Sequence, residues 1–239
     1  MKTILERECI LLAVIDRLRI VRAMDAAWLA GYTDYTYCRK CLRKLCGMGL
    51  LQICRDSAGS NCYSLTSRGL AMLGKQTSHT YEVSYTTNHT LTVGRICAWL
   101  RITEGAVPGE LLTDSVLRQK GNKQRHRPDI VFRGCAYEIE LNHKPLSLLE
   151  KNIRDNSSYQ QQVWITPDNR PSIARNLNSC AQKMGVRIRV VSLSEIERQV
   201  DTADIHKNTK DIGEWDEIES VDSMPEMNSI SKYTSYFKK

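Results

Sequence analysis

The run PDIVFRGCAYEIEL, residues 128–141, leaves the backbone few options. Ile130, Val131 and Phe132 favour a strand, and so do Tyr137, Ile139 and Leu141; Gly134 stands between the two runs, so the stretch reads as a β-hairpin. Strand side chains alternate with a period of two. Glu138 and Glu140 therefore share one face, and Ile139 and Leu141 share the other. Asp129 opens the first strand, directly after Pro128, and pairing across Gly134 brings it towards the same edge. An ionised carboxylate is costly to bury alone. Three of them either face solvent, as glutamates on an edge strand often do, or gather around a cation. Hard oxygen ligands of this type suit Mg2+ or Mn2+. Such an ion polarises a phosphate and lowers the pKa of an attacking water.

The surrounding sequence supplies an α/β frame. TLTVGRICAWLRITEG reads as a helix and ELLTDSVL as a strand ahead of the hairpin. PLSLLEKNIRDNSSYQ follows as a helix with Leu146, Leu149, Ile153 and Asn156 on one face. QQVWITPD is a strand, RPSIARNLNSCAQKMG a helix and VRIRVVSL a last strand. The order αβββαβαβ predicts a mixed sheet over residues 89–200. Glu110, at the start of the first strand, is a candidate extra ligand, as is Glu104. Lys144 stands four residues beyond Glu140, close enough to extend towards it.

Residues 1–75 read differently. LERECILLAVIDRLRI, residues 5–20, places Leu5, Cys9, Leu12, Ile15 and Leu18 at helical spacing, VRAMDAAWLAG ends at a Gly stop, and Thr33 or Asp34 can cap a third helix, DYTYCRKCLRKLCGMG. Leu42, Leu45 and Cys46 form its apolar stripe. Two β-type runs follow around Asp-Ser-Ala-Gly-Ser-Asn. Three helices and a hairpin are the plan of a winged helix-turn-helix, whose third helix enters the major groove. Tyr35, Tyr37, Arg39 and Lys40 are then the groove readers, Arg43, Lys44 and Arg55 phosphate contacts. The plainer alternative is a solvated basic face, or a homodimer contact.

Charge follows the same division. Residues 1–75 hold 12 Lys/Arg against 6 Asp/Glu, residues 76–200 hold 17 against 12, and residues 201–239 hold 5 against 9. Two basic modules joined by a connector at 76–88 suggest a polyanion partner. The acidic tail at 201–239, with clustered acids and no sustained period, reads as disordered, with Trp215 and SISKYTSYFKK as candidate docking motifs. The start is broken by charges every few residues, which fits no export signal, and no run has the length of a membrane span. A cytoplasmic protein with reduced cysteines is expected. Cys38-x2-Cys41 lies inside a helical pattern with no second tight pair, which favours small buried hydrophobes over zinc.

Pro128-Asp129 and Glu138-Ile139-Glu140 resemble the two halves of the PD-(D/E)xK nuclease motif, with Glu140 at the usual Lys position. With the winged-helix head, His89 at a helix start and Tyr159 after the basic helix, residues 1–200 look like the replication-relaxation family, closest to the MobC-type mobilisation relaxases of small bacterial plasmids. The resemblance implies a metal-dependent endonuclease that nicks one strand at a plasmid origin of transfer. Asp129 and Glu138 would be metal ligands, Glu140 a ligand or base, and Lys144 would stabilise developing charge. Arg125, His126, Arg127, Lys151 and Arg154 would meet phosphate, and Tyr159 would stack on a base or touch substrate. An accessory relaxosome protein and a coupling protein are the implied partners. The five histidines stand singly, without an H-x-H pair, against the three-His chemistry of common relaxases. The competing functions are a non-catalytic DNA-binding accessory or replication-regulatory protein and a restriction-type double-strand nuclease.

Overall fold

The computed structural model describes residues 4–75, 81, 84, 86–119 and 126–205. Arg125, most of the connector and nearly all of the tail, with its docking motifs, lie outside them. The chain is α+β, and none of its described helices is long and apolar enough to cross a membrane.

The N-terminal part runs α1 (Glu6–Leu18), β1 (Ile20–Arg22), α2 (Ala23–Leu29), α3 (Tyr35–Gly47), β2 (Leu51–Arg55), β3 (Asn61–Leu65) and α4 (Ser67–Met72). Asp34 starts α3, its carboxylate accepting the Thr36 N–H at 2.7 Å. Cys38, Cys41, Leu42 and Leu45 are the buried stripe of α3, and Arg39, Lys40 and Arg43 are exposed. The expected first helix ran through Ile20; the structure ends it at Leu18. Arg19 takes a positive φ of 71°, and the β-branched pair Ile20-Val21 then lies opposite Ser64 and Tyr63. The strand order is β1-β3-β2, antiparallel throughout.

The second part runs α5 (Thr87–Glu104), β4 (Leu112–Thr113), α6 (Asp114–Gln119), β5 (Ile130–Phe132), β6 (Cys135–Ile139), α7 (Leu146–Asp155), β7 (Gln161–Thr166), α8 (Pro171–Met184), β8 (Arg189–Ser192) and α9 (Leu193–Thr202). The sheet order is β4-β5-β6-β7-β8. β4 to β6 pair antiparallel, and β6 to β8 pair parallel, so the sheet is mixed. Of the strand expected in ELLTDSVL only Leu112–Thr113 pairs; Asp114 begins a helix instead. Thr113-Asp114-Ser115 is helix-start chemistry, with hydroxyl and carboxylate oxygens where orphan N–H groups need acceptors.

The β5–β6 hairpin turns at Arg133-Gly134, with φ of 47° and 77°. Two consecutive positive φ values match the twist of a two-residue hairpin, and glycine takes the second without cost. Helices cover both sheet faces. Tyr137, Ile139, Val163 and Ile165 face α5 and α9, in a core that continues without a break to Leu18, Val21, Ala26 and Trp28 of the N-terminal part. Trp164 faces α7 and α8, against Leu149, Ile153, Ile173 and Leu177.

Candidate active site

Pairing of Ile130 with Tyr137 sets Asp129 beside Glu138 across the β5–β6 ladder. Asp129, Glu138 and Glu140 thus fall on one sheet face. The ladder continues one residue past β6, since the Glu140 N–H donates to the Ile165 carbonyl at 2.9 Å. The sequence offers this face as open to a cation or to water, yet Glu138 is only 5% and Glu140 only 2% exposed. Both are covered, and each carboxylate has its own partners.

Glu138 Oε1 is 2.6 Å from His126 Nε2 and accepts from Asn156 Nδ2 at 2.7 Å. Asp129 Oδ2 accepts the Ile139 N–H at 2.8 Å and lies 3.3 Å from His89 Nε2. Glu140 Oε2 is 2.6 Å from Lys144 Nζ, a close ion pair without hydrogen-bond alignment. Lys144 follows a bend at Asn142 and precedes α7.

Burial, the largest influence, raises the pKa of Glu138 against the opposing pull of His126 and Asn156. The same cause raises Glu140 against Lys144. His126 is raised too, first by its hydrogen bond to Glu138. For His89, burial works against protonation, and the hydrogen bond and charge of Asp129 outweigh it.

The oxygen donors have the character that Mg2+ or Mn2+ prefers, but their spacing differs from the expectation. Among the described residues no three His, Cys, Asp or Glu side chains lie close enough together to hold a metal ion. Each carboxylate instead has its own basic neighbour, His89 at Asp129, His126 at Glu138 and Lys144 at Glu140. Glu110 is not brought to them. It sits in the turn before β4, accepting the Val107 N–H at 3.1 Å and 3.9 Å from Arg133 at the far end of the hairpin. Glu104 is at that end as well, its carbonyl accepting from Arg133 at 3.3 Å.

The residues proposed for DNA contact are dispersed. Arg39, Lys40, Arg43 and Arg55 are exposed on α3 and β2, and Tyr37 is 38% exposed. Tyr35 packs partly against the core, under the Arg39 guanidinium. Lys44 is 2.9 Å from Glu8 Oε2 and Arg127 is 2.7 Å from Asp114 Oδ1, so both are engaged within the fold. Arg154 is exposed and Lys151 half-buried on α7. Tyr159 follows α7, and burial and then the charge of Glu138 push its phenol up, which disfavours a phenolate nucleophile. Cys38 and Cys41 are buried side chains of the α3 stripe.

Beside Glu140 opens a groove of about 460 Å3 between the start of α5, the chain after β6 and the β7–α8 loop. His89, Lys144 and Arg170 line it, with Glu140 as the one acid among its described lining residues. Sequence reasoning missed Arg170 and Asn156; for Asn156 the signal was a polar residue on the apolar face of α7. No protein-family model, curated protein or solved structure matches this chain.

Proposed function

We propose that the chain is a DNA endonuclease of the plasmid-mobilisation relaxase kind, which nicks one strand at an origin of transfer. The observation that carries this reading is the row Asp129, Glu138 and Glu140 on one sheet face, with Glu140 in the wall of a groove that His89, Lys144 and Arg170 also line. The order α1-β1-α2-α3-β2-β3, with a basic third helix, supports a winged helix-turn-helix in residues 1–75. The order α5-β4-β5-β6-α7-β7, with Pro128-Asp129 and Glu138-Ile139-Glu140 at its centre, supports a PD-(D/E)xK-like domain. In this reading α3 and Arg55 hold duplex DNA by its phosphates and groove edges. Lys144 counters charge on the phosphate under attack. Glu140 is the ligand or base of this reading, as a base taking a proton from the attacking water. Mg2+ or Mn2+ is the proposed cofactor.

The test is incubation of supercoiled plasmid carrying the cognate origin with Mg2+, Mn2+ or EDTA, beside an Asp129→Ala/Glu138→Ala variant. Metal-dependent open circles that the variant fails to produce are expected. A linear product would instead assign double-strand cleavage.

A second reading is favoured by one observation, the neutralisation of each carboxylate by its own cationic neighbour. A DNA-binding accessory protein would keep such pairs for stability alone. It would retain full affinity in a gel shift while plasmid stays supercoiled under every metal condition.

A further inference from the structure

We propose that the groove beside Glu140 is a binding site for one unpaired nucleotide of the strand that passes the β2–β3 hairpin; this rests on the endonuclease reading. At about 460 Å3 the groove is in the range of small-ligand sites. It exceeds what a free phosphate needs and is too small for a base-paired duplex.

Its chemistry is divided as a nucleotide requires. Leu141 and Pro167 give an apolar surface for a base. Asn169 brings an amide that both donates and accepts, and it makes no hydrogen bond among the described residues. Arg170 uses Nη1 to hold the Leu141 carbonyl at 2.9 Å and Asn142 Oδ1 at 2.6 Å. Its Nε and Nη2 have no partner among the described residues, so one edge of the guanidinium is left for a phosphate. The first turn of α5 closes the far wall without an acidic residue, so its dipole favours an anion.

The β2–β3 hairpin reaches the wall of the groove. Ser57, at its tip, donates to Asn88 Oδ1 at 3.2 Å, and Asn88 lines the groove. A backbone held by the hairpin therefore arrives at the mouth of the groove.

The experiment is fluorescence anisotropy of a labelled single-stranded DNA hexamer with the full chain in EDTA. Wild-type protein is expected to bind, with about five-fold loss in Asn169→Ala and ten-fold or more in Arg170→Gln. Deoxyadenosine monophosphate should displace the probe, and inorganic phosphate at equal concentration should not. Affinities within two-fold of wild type in both variants would overturn the site, as would displacement by phosphate alone. Asn169→Ala carries the result if Arg170→Gln melts early. Because binding is read without metal, a chain that takes the nucleotide and never nicks overturns only the endonuclease reading. One that nicks while both variants bind normally overturns only this site.

Discussion

Arg95 Nε of α5 lies 3.0 Å from Asp25 Oδ1 of α2, with the two side chains 8% and 0% exposed. The same guanidinium reaches Asp201 of α9 at 2.5 Å. One cation thus joins an N-terminal helix to the last described one. Arg95→Met leaves Asp25 buried and unpaired, and should cost about 3–5 kcal/mol. The double variant Asp25→Leu/Arg95→Met should recover most of that. Urea midpoints at unchanged slope measure both; equal loss in single and double variants would contradict the account.

Asn156 is fully buried and donates to Glu138 at 2.7 Å. Asn156→Ala removes one of two partners from a buried carboxylate, and should cost about 1–3 kcal/mol. For a chain of this size each kcal/mol lowers the melting temperature by about 2–4 °C. A melting temperature equal to wild type would show that Glu138 does not depend on this amide.

His126 gives a pH prediction. An unfolded histidine titrates near 6.5, and the Glu138 hydrogen bond raises the folded value. Stability from protonated His126 is therefore fully present below about pH 6.5 and is lost as pH rises through the folded pKa. An NMR titration of the imidazole should place that pKa above 6.5. Glu138→Gln should drop it, because burial, which lowers it, remains. A wild-type value at or below 6.5 would refute the pairing.

The basic helix makes a graded prediction. Lys40→Ala and Arg43→Ala, on the exposed side of α3, should each weaken duplex DNA binding at all sequences and reduce the salt slope by about 1. Lys44→Ala should change the salt slope less and stability more, by about 1–3 kcal/mol, because it strips a charge partner from Glu8, 1% exposed. Equal slopes for Lys44 and Arg43 in filter-binding would reverse this assignment.

The site hairpin was legible because Tyr137 to Leu141 alternate strictly and Gly134 marks the turn. What holds its carboxylates was not. His126 and Asn156 stand 12 and 18 residues from Glu138, and nothing local ties them to it. Two elements were missed for different reasons. β1 consists of three residues whose strand character comes from pairing with β3, a tertiary effect that overrides the helical pattern around it. α9 carried a signal, Ser192 followed at the third place by Glu195, with Ile196 and Val200 one turn apart on the buried side. Thr113-Asp114-Ser115 was read by its apolar flanks when its polar side chains set the outcome.

The core that runs unbroken from α1 and α2 through α5 to the five-stranded sheet bears on how such a protein is inherited. A head that touched its body only through a linker could be exchanged by recombination at residues 76–86. Here a transplanted head would have to match the surface of α5 and bring an acid to meet Arg95. The exposed side of α3 and the carboxylate row therefore rest on one shared core, and substitution on the exposed side of α3 alters that surface without the repacking that replacing the head would demand.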